Sequence, residues 1–139
     1  VLPYIVAQSI GAFLASFALK IMFPADETLG ASLPSSTWEQ SFIMEVILTF
    51  LLMYVILNVS SGAKEKGIMA GAAIGATVGL EAMFAGPVCG ASMNPIRSIA
   101  PAVVSGHTEY LWAYIVSTLL GAILAVFAFK LTRKEDAKG

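Results

Sequence analysis

The sequence predicts an all-α membrane protein with four transmembrane helices and one re-entrant half-helix. Three observations carry that reading. Of the 139 residues, 58% are hydrophobic and only 12% are charged, a balance that belongs to membrane-embedded chains rather than soluble domains. Four apolar segments, at 1–23, 41–59, 68–86 and 110–131, each approach the roughly 20 residues needed to cross a hydrocarbon core. A fifth segment, 87–106, is nearly as poor in charge but lies where the topology forbids a crossing.

The first span starts inside an apolar run, with no Met, charged leader or small-residue cleavage motif. It is therefore expected to be a helix of a longer chain rather than a signal peptide. Residues 24–40 carry Asp26, Glu27 and Glu39, with turn-forming Gly and Pro and neither Lys nor Arg, and read as an extracytoplasmic loop. The second span leads into Ser60 to Gly67, with Lys64 and Lys66. The fourth leads into a tail at 132–139, with Arg133, Lys134 and Lys138. The positive-inside rule assigns both to the cytoplasm. The third span then runs outward and the fourth inward, so the chain between them leaves and returns on the outer side. Gly67, Gly71, Gly75 and Gly79 recur every fourth residue along the third span, a bare face that permits close helix approach. Gly11 with Ala15, and Gly121 with Ala125, repeat the motif. Tyr110 and Trp112 suit an outer aromatic belt.

In 87–106 the one charge is Arg97. Asn94 is a good N-cap and Pro95 a preferred first helical residue, so a helix is expected from there to about Val104. Its eleven residues span about 16 Å, half the hydrocarbon thickness. The residues from Gly86 to Met93 reach at most about 26 Å, enough to arrive at the midplane. Irregular backbone survives at that depth only when enclosed by protein or lining an aqueous cavity. The carbonyls of Gly90, Ala91, Ser92 and Met93 would offer acceptors along such a path, and the Asn94 amide donors. The positive tip of the half-helix, with Arg97 one turn further on, would oppose cations and protons.

Other residues narrow the function classes. Glu45, inside the second span, reads as a brace for the dipping backbone or as a transport proton site. Glu81 reads as an interfacial charge or a second such group. An ion-coupled secondary transporter with a broken-helix site is the rival reading, with Glu45 and Glu81 to serve it. An intramembrane enzyme needs a nucleophile set or a metal set, and Cys89 and His107, each single, make neither. No cofactor is expected. Eight basic against nine acidic residues give no field suited to nucleic acid; the expected partners are lipids.

The run Gly86-Pro87-Val88-Cys89-Gly90-Ala91-Ser92-Met93-Asn94-Pro95-Ile96-Arg97-Ser98 resembles the second pore signature of the major intrinsic proteins, the aquaporins. Gln8 and Gly11 resemble that family's third helix, Phe42, Glu45 and Thr49 its fourth, the glycine stripe its fifth, and Trp112, Tyr114 and Gly121 its sixth. The resemblance implies a fold of two inverted repeats with two half-helices meeting at mid-membrane, of which residues 41–139 are the second repeat. It implies a homotetramer in a plasma or inner membrane that passes water and small uncharged solutes. Asn94 matches one of two central asparagines, Arg97 the arginine of the outer constriction, and Ala82 and Ala91 its fifth-helix and loop positions. Water-selective members usually carry histidine where Ala82 stands, so the constriction is expected to be wide enough for glycerol, urea or small metalloid acids. Ser98 and Ala102 replace the aspartate and basic residue of dedicated glycerol facilitators, and with Tyr114 and Ile115 they bring the chain nearer to bacterial or plant nodulin-like members. Ile96 departs from the usual alanine of Asn-Pro-Ala, as do Ala100 from a glycine and Ser117-Thr118 from Gly-Pro. The first repeat, with its own half-helix and filter residue, is not within these residues.

Overall fold

The computed structural model describes residues 1–61 and 66–136; Lys64 and Lys138, two of the cytoplasmic markers, lie outside the described residues. Five helices follow one another: α1 Leu2–Met22, α2 Trp38–Ser61, α3 Lys66–Cys89, α4 Pro95–Ser105 and α5 Leu111–Asp136. Among the described residues there is no strand. Four helices, α1, α2, α3 and α5, are long and apolar enough to cross a membrane; α4, at 11 residues, is not.

Local chemistry sets the ends of these helices. Pro3 stands in the first turn of α1, where its missing N–H costs no bond. The Thr37 hydroxyl accepts the Gln40 amide and starts α2 at Trp38. Asn94, in extended conformation, accepts the Ile96 N–H on its side chain at the head of α4, and Gly106 in the left-handed region closes that helix with a bond to the Ala102 carbonyl.

The expected break at Pro87 is corrected. α3 runs through Pro87 to Cys89, because its last carbonyls find donors outside the helix. Val88 O accepts from Ser35 N at 3.1 Å, from Ser35 Oγ at 2.9 Å and from Ser41 Oγ at 3.4 Å. Cys89 O accepts from the Tyr114 hydroxyl at 2.8 Å, and Gly86 O from Gly90 N at 2.9 Å. The irregular stretch is thus Gly90–Met93 and not the eight residues from Gly86.

Packing fixes the directions. Trp38 and Trp112, at the starts of α2 and α5, lie 5.2 Å apart between ring centroids, and Tyr54 Oη donates to Thr132 Oγ1 near their ends, so the two helices run parallel. Gly121 makes this contact possible: a Cβ there would lie 2.5 Å from the Val46 carbonyl and 3.0 Å from the Phe50 nitrogen. α3 packs on α2 in the opposite direction, since Val88 at its end meets Ser41 at the start of α2. α4 packs on α1 and α5, and the Lys20 ammonium in the last turn of α1 reaches the Val104 carbonyl at its far end. A core of Leu48, Ala85, Cys89, Ala91 and Tyr114, with Met44 and Met93 against it, fills the meeting point of α2, α3, α5 and the 90–93 segment. By contrast, Gly71, Gly75 and Gly79 have nothing within 4 Å of an added Cβ, so at these three positions the glycine face is not packed against other described residues.

Candidate functional site

The chain reverses in four residues. Gly90, Ala91 and Met93 take φ values of 82°, 43° and 54°, a left-handed region where only glycine sits freely and where each L side chain costs about 1–2 kcal/mol. Glu45 offsets that cost. Its Oε1 accepts the Ser92 N–H at 2.7 Å and its Oε2 the Met93 N–H at 2.8 Å, and the residue is 0% exposed. Two short bonds accepted by one buried carboxyl group fix both peptide planes. Among the described residues no hydrogen bond is donated to the carbonyls of Gly90, Ala91, Ser92 or Met93, so the peptide faces opposite Glu45 present acceptors.

The same bonds give the depth of the reversal. α3 ends level with Ser41, whereas Ser92 and Met93 sit level with Glu45, one helical turn or about 6 Å further from the tryptophan end of α2. From there α4 climbs back toward Lys20. The chain enters and leaves at one end of the bundle.

Asn94 Oδ1 accepts the Ile96 N–H at 2.9 Å, which leaves the amide NH2 on its other side as a donor group. Pro95 opens α4 behind it. Arg97, one turn on, is exposed and directs Nη1 to Ser32 Oγ at 2.6 Å and to the Gly30 carbonyl at 3.1 Å. Both partners lie in the connection between α1 and α2. That connection is shaped by Asp26, whose Oδ1 accepts from Thr28 N and Thr28 Oγ1, both at 2.9 Å, and from Leu29 N at 3.1 Å. Leu29 and Gly30 then turn in the left-handed region. The Thr28 hydroxyl first, and then the two amides, hold the Asp26 carboxyl below the usual carboxylate range.

Residues from distant parts of the chain are therefore brought together: Glu45 from α2, Gly90 to Arg97 from the reversal and α4, and Gly30 and Ser32 from the 24–37 connection. A profile described as Major intrinsic protein matches residues 1–129. The chain belongs to the major intrinsic protein family. It is 44% identical over 131 residues to Aquaporin NIP1-1 of Zea mays, covering 94% of this chain and 46% of that protein. It is 40% identical over 134 residues to Nodulin-26 of Glycine max, covering 96% and 49%. To Aquaporin NIP3-1 of Arabidopsis thaliana it is 41% identical over 138 residues, covering 94% and 43%. The chain spans about half the length of the curated relatives it matches. As a major intrinsic protein with four apolar helices it is an integral, multi-pass membrane protein.

Two alanines singled out in this major intrinsic protein differ in their surroundings. Ala82 is exposed on α3, and α3 and α4 do not pack together, so Ala82 is not brought to Arg97. Ala91 is 8% exposed and its side chain joins the core. Glu81 is 2% exposed; among the described residues its two carboxyl oxygens and Thr49 Oγ1 have no hydrogen-bond partner. Sequence reasoning missed Gly30, Ser32 and Ser98 as parts of the site. Ser98 is 1% exposed, donates to Ser32 Oγ at 3.0 Å and contacts Ser92 Oγ. No local pattern marks a serine that is tied to an arginine 65 positions later.

Proposed function

We propose that this chain forms the second half of a passive channel for water and small uncharged solutes that excludes protons and ions. In this reading residues 1–23 are the third helix of the aquaporin fold, 24–40 an extracytoplasmic connection and 41–139 the second repeat, with the C-terminal tail in the cytoplasm of a plasma or inner membrane. The protein acts as a homotetramer and is no enzyme. One observation carries the reading: the Glu45 carboxylate holds a left-handed reversal from which a half-length helix starts at Asn94 and returns to the end it came from. Such backbone at membrane depth must be enclosed by protein or line an aqueous path, and the carbonyls of residues 90–93, which accept no hydrogen bond among the described residues, favour the path. Permeants would exchange hydrogen bonds along the carbonyls of residues 90–93 and the Asn94 amide. Cations and protons would meet the positive end of α4 and the Arg97 guanidinium. Arg97 would stand at the outer constriction, with the Ala91 peptide rather than its buried side chain beside it and Ala82 across the path, not in contact with Arg97; two alanines there leave width for glycerol, urea or metalloid acids. The names aquaporin and nodulin carried by the relatives support the same class.

Stopped-flow light scattering on vesicles holding the full-length protein tests this. Rapid osmotic shrinkage without any ion gradient, with glycerol and urea entry above that of bare lipid, is the expected result. Solute uptake that requires an ion gradient would replace the channel with a coupled transporter. Glu45 is poorly placed for that role, because both its oxygens already accept backbone N–H bonds.

A further inference from the structure

We propose that Ser32 is a positioning residue whose hydroxyl fixes the Arg97 guanidinium and thereby sets which solutes pass the outer constriction. The inference rests on the channel reading above. Arg97 places one nitrogen, Nη1, on two partners in the connection between α1 and α2, and the Ser32 bond, at 2.6 Å, is shorter than that to the Gly30 carbonyl, at 3.1 Å. Short bonds from a charged donor are the strong ones.

Ser32 is itself held. It is 6% exposed, and its Oγ accepts from Ser98 Oγ at 3.0 Å. Ser98 contacts Ser92 Oγ, and Ser92 Oγ donates to the Asn94 carbonyl at 2.9 Å. Three buried hydroxyls, with Ser92 at 5% and Ser98 at 1% exposure, thus run in a line from the guanidinium to the residue that caps α4. Buried bonds of this kind meet little competition from water. The backbone makes room for the line as well: at Gly90 an added Cβ would lie 3.3 Å from Ser32 Cα, on a φ of 82° that disfavours any side chain.

Without the Ser32 hydroxyl, only the longer bond to Gly30 restrains a long, flexible side chain whose other nitrogens make no hydrogen bond among the described residues. The guanidinium then samples positions across the path, and a solute wider than water is obstructed first. The test uses the full-length protein in proteoliposomes, with sucrose shock for water and a glycerol gradient for solute. Ser32→Ala is expected to lower the glycerol-to-water permeability ratio by about threefold or more, the shift in arginine population that losing one such bond gives. Ser32→Thr, which keeps the hydroxyl, should hold the ratio near that of the parent. In an Arg97→Ala background, Ser32→Ala should change the ratio no further.

An unchanged ratio in Ser32→Ala overturns the proposal, and so does an equal shift with or without Arg97, or a Thr variant that behaves as the Ala variant does. Should Ser32→Ala fail to assemble, Ser98→Ala removes the donor to Ser32 while leaving the bonds of Arg97 in place. A smaller shift that vanishes in the Arg97→Ala background is then expected, and no shift overturns it. Parent vesicles that shrink no faster than bare lipid would sink the channel reading instead, so the two failures are distinguishable.

Discussion

Both carboxyl oxygens of Glu45 are committed to backbone N–H groups of the reversal. A glutamine there would keep one acceptor oxygen but turn an NH2 toward the second backbone N–H, leaving Ser92 or Met93 unpaired in a buried place. Glu45→Gln is expected to destabilise the protein by about 2 kcal/mol, read as a lower Tm of the purified protein in detergent, together with slower water flux. At Ala82 the change is additive: Ala82→His should lower glycerol flux more than water flux, and equal losses in the two stopped-flow traces would refute the wide-filter reading. Asp26 supplies a pH dependence. Its carboxyl is held below the usual range by Thr28 and Leu29, so its contribution is present above the unfolded carboxylate value of about 3.9 and is lost as pH falls through the lower folded value. Protection of the Thr28 and Leu29 amides against hydrogen exchange, corrected for intrinsic rate, should fall only in that acidic window. At this scale the sequence was partly legible. Asn94, Pro95, Arg97 and Glu45 stood out because a charge or helix start in an apolar setting needs a reason. Ser32, Ser92 and Ser98 did not, since a serine in a loop or helix carries no local sign of what it meets in space.

Between helices, α2 and α5 approach each other closely at Gly121. Even one methyl there meets the Val46 carbonyl at 2.5 Å, so Gly121→Ala should cost about 1–3 kcal/mol through forced separation of the two helices, visible in the same Tm measurement. The end of α3 depends on borrowed donors. Tyr114→Phe leaves the buried Cys89 carbonyl without its hydroxyl and is expected to lower stability by about 1 kcal/mol. Helix existence and order followed from apolar run length and from the charges flanking each run. The end of α3 did not, because Pro87 is a local stop signal, whereas Ser35, Ser41 and Tyr114, which satisfy the carbonyls beyond it, come from elsewhere in the chain. Likewise the glycine stripe promised close packing, but Gly71, Gly75 and Gly79 face away from every other described helix.

For the molecule as a whole, large apolar side chains lie exposed along α1 and α3, among them Leu14, Phe17, Leu80, Met83 and Phe84. One half of an inverted-repeat fold is expected to leave such faces for its other half and for lipid. These 139 residues expressed alone should therefore confer no osmotic water permeability on vesicles, whereas the full-length protein should; shrinkage driven by the short chain would contradict the two-repeat reading. The Lys20 to Val104 bond joins residues 84 positions apart, and the bonds of Arg97 reach back 65 and 67. A ribosome therefore releases the early connection long before its partners exist. Loops closed over such distances form late, so residues 24–37 cannot complete these bonds until α4 has been synthesised.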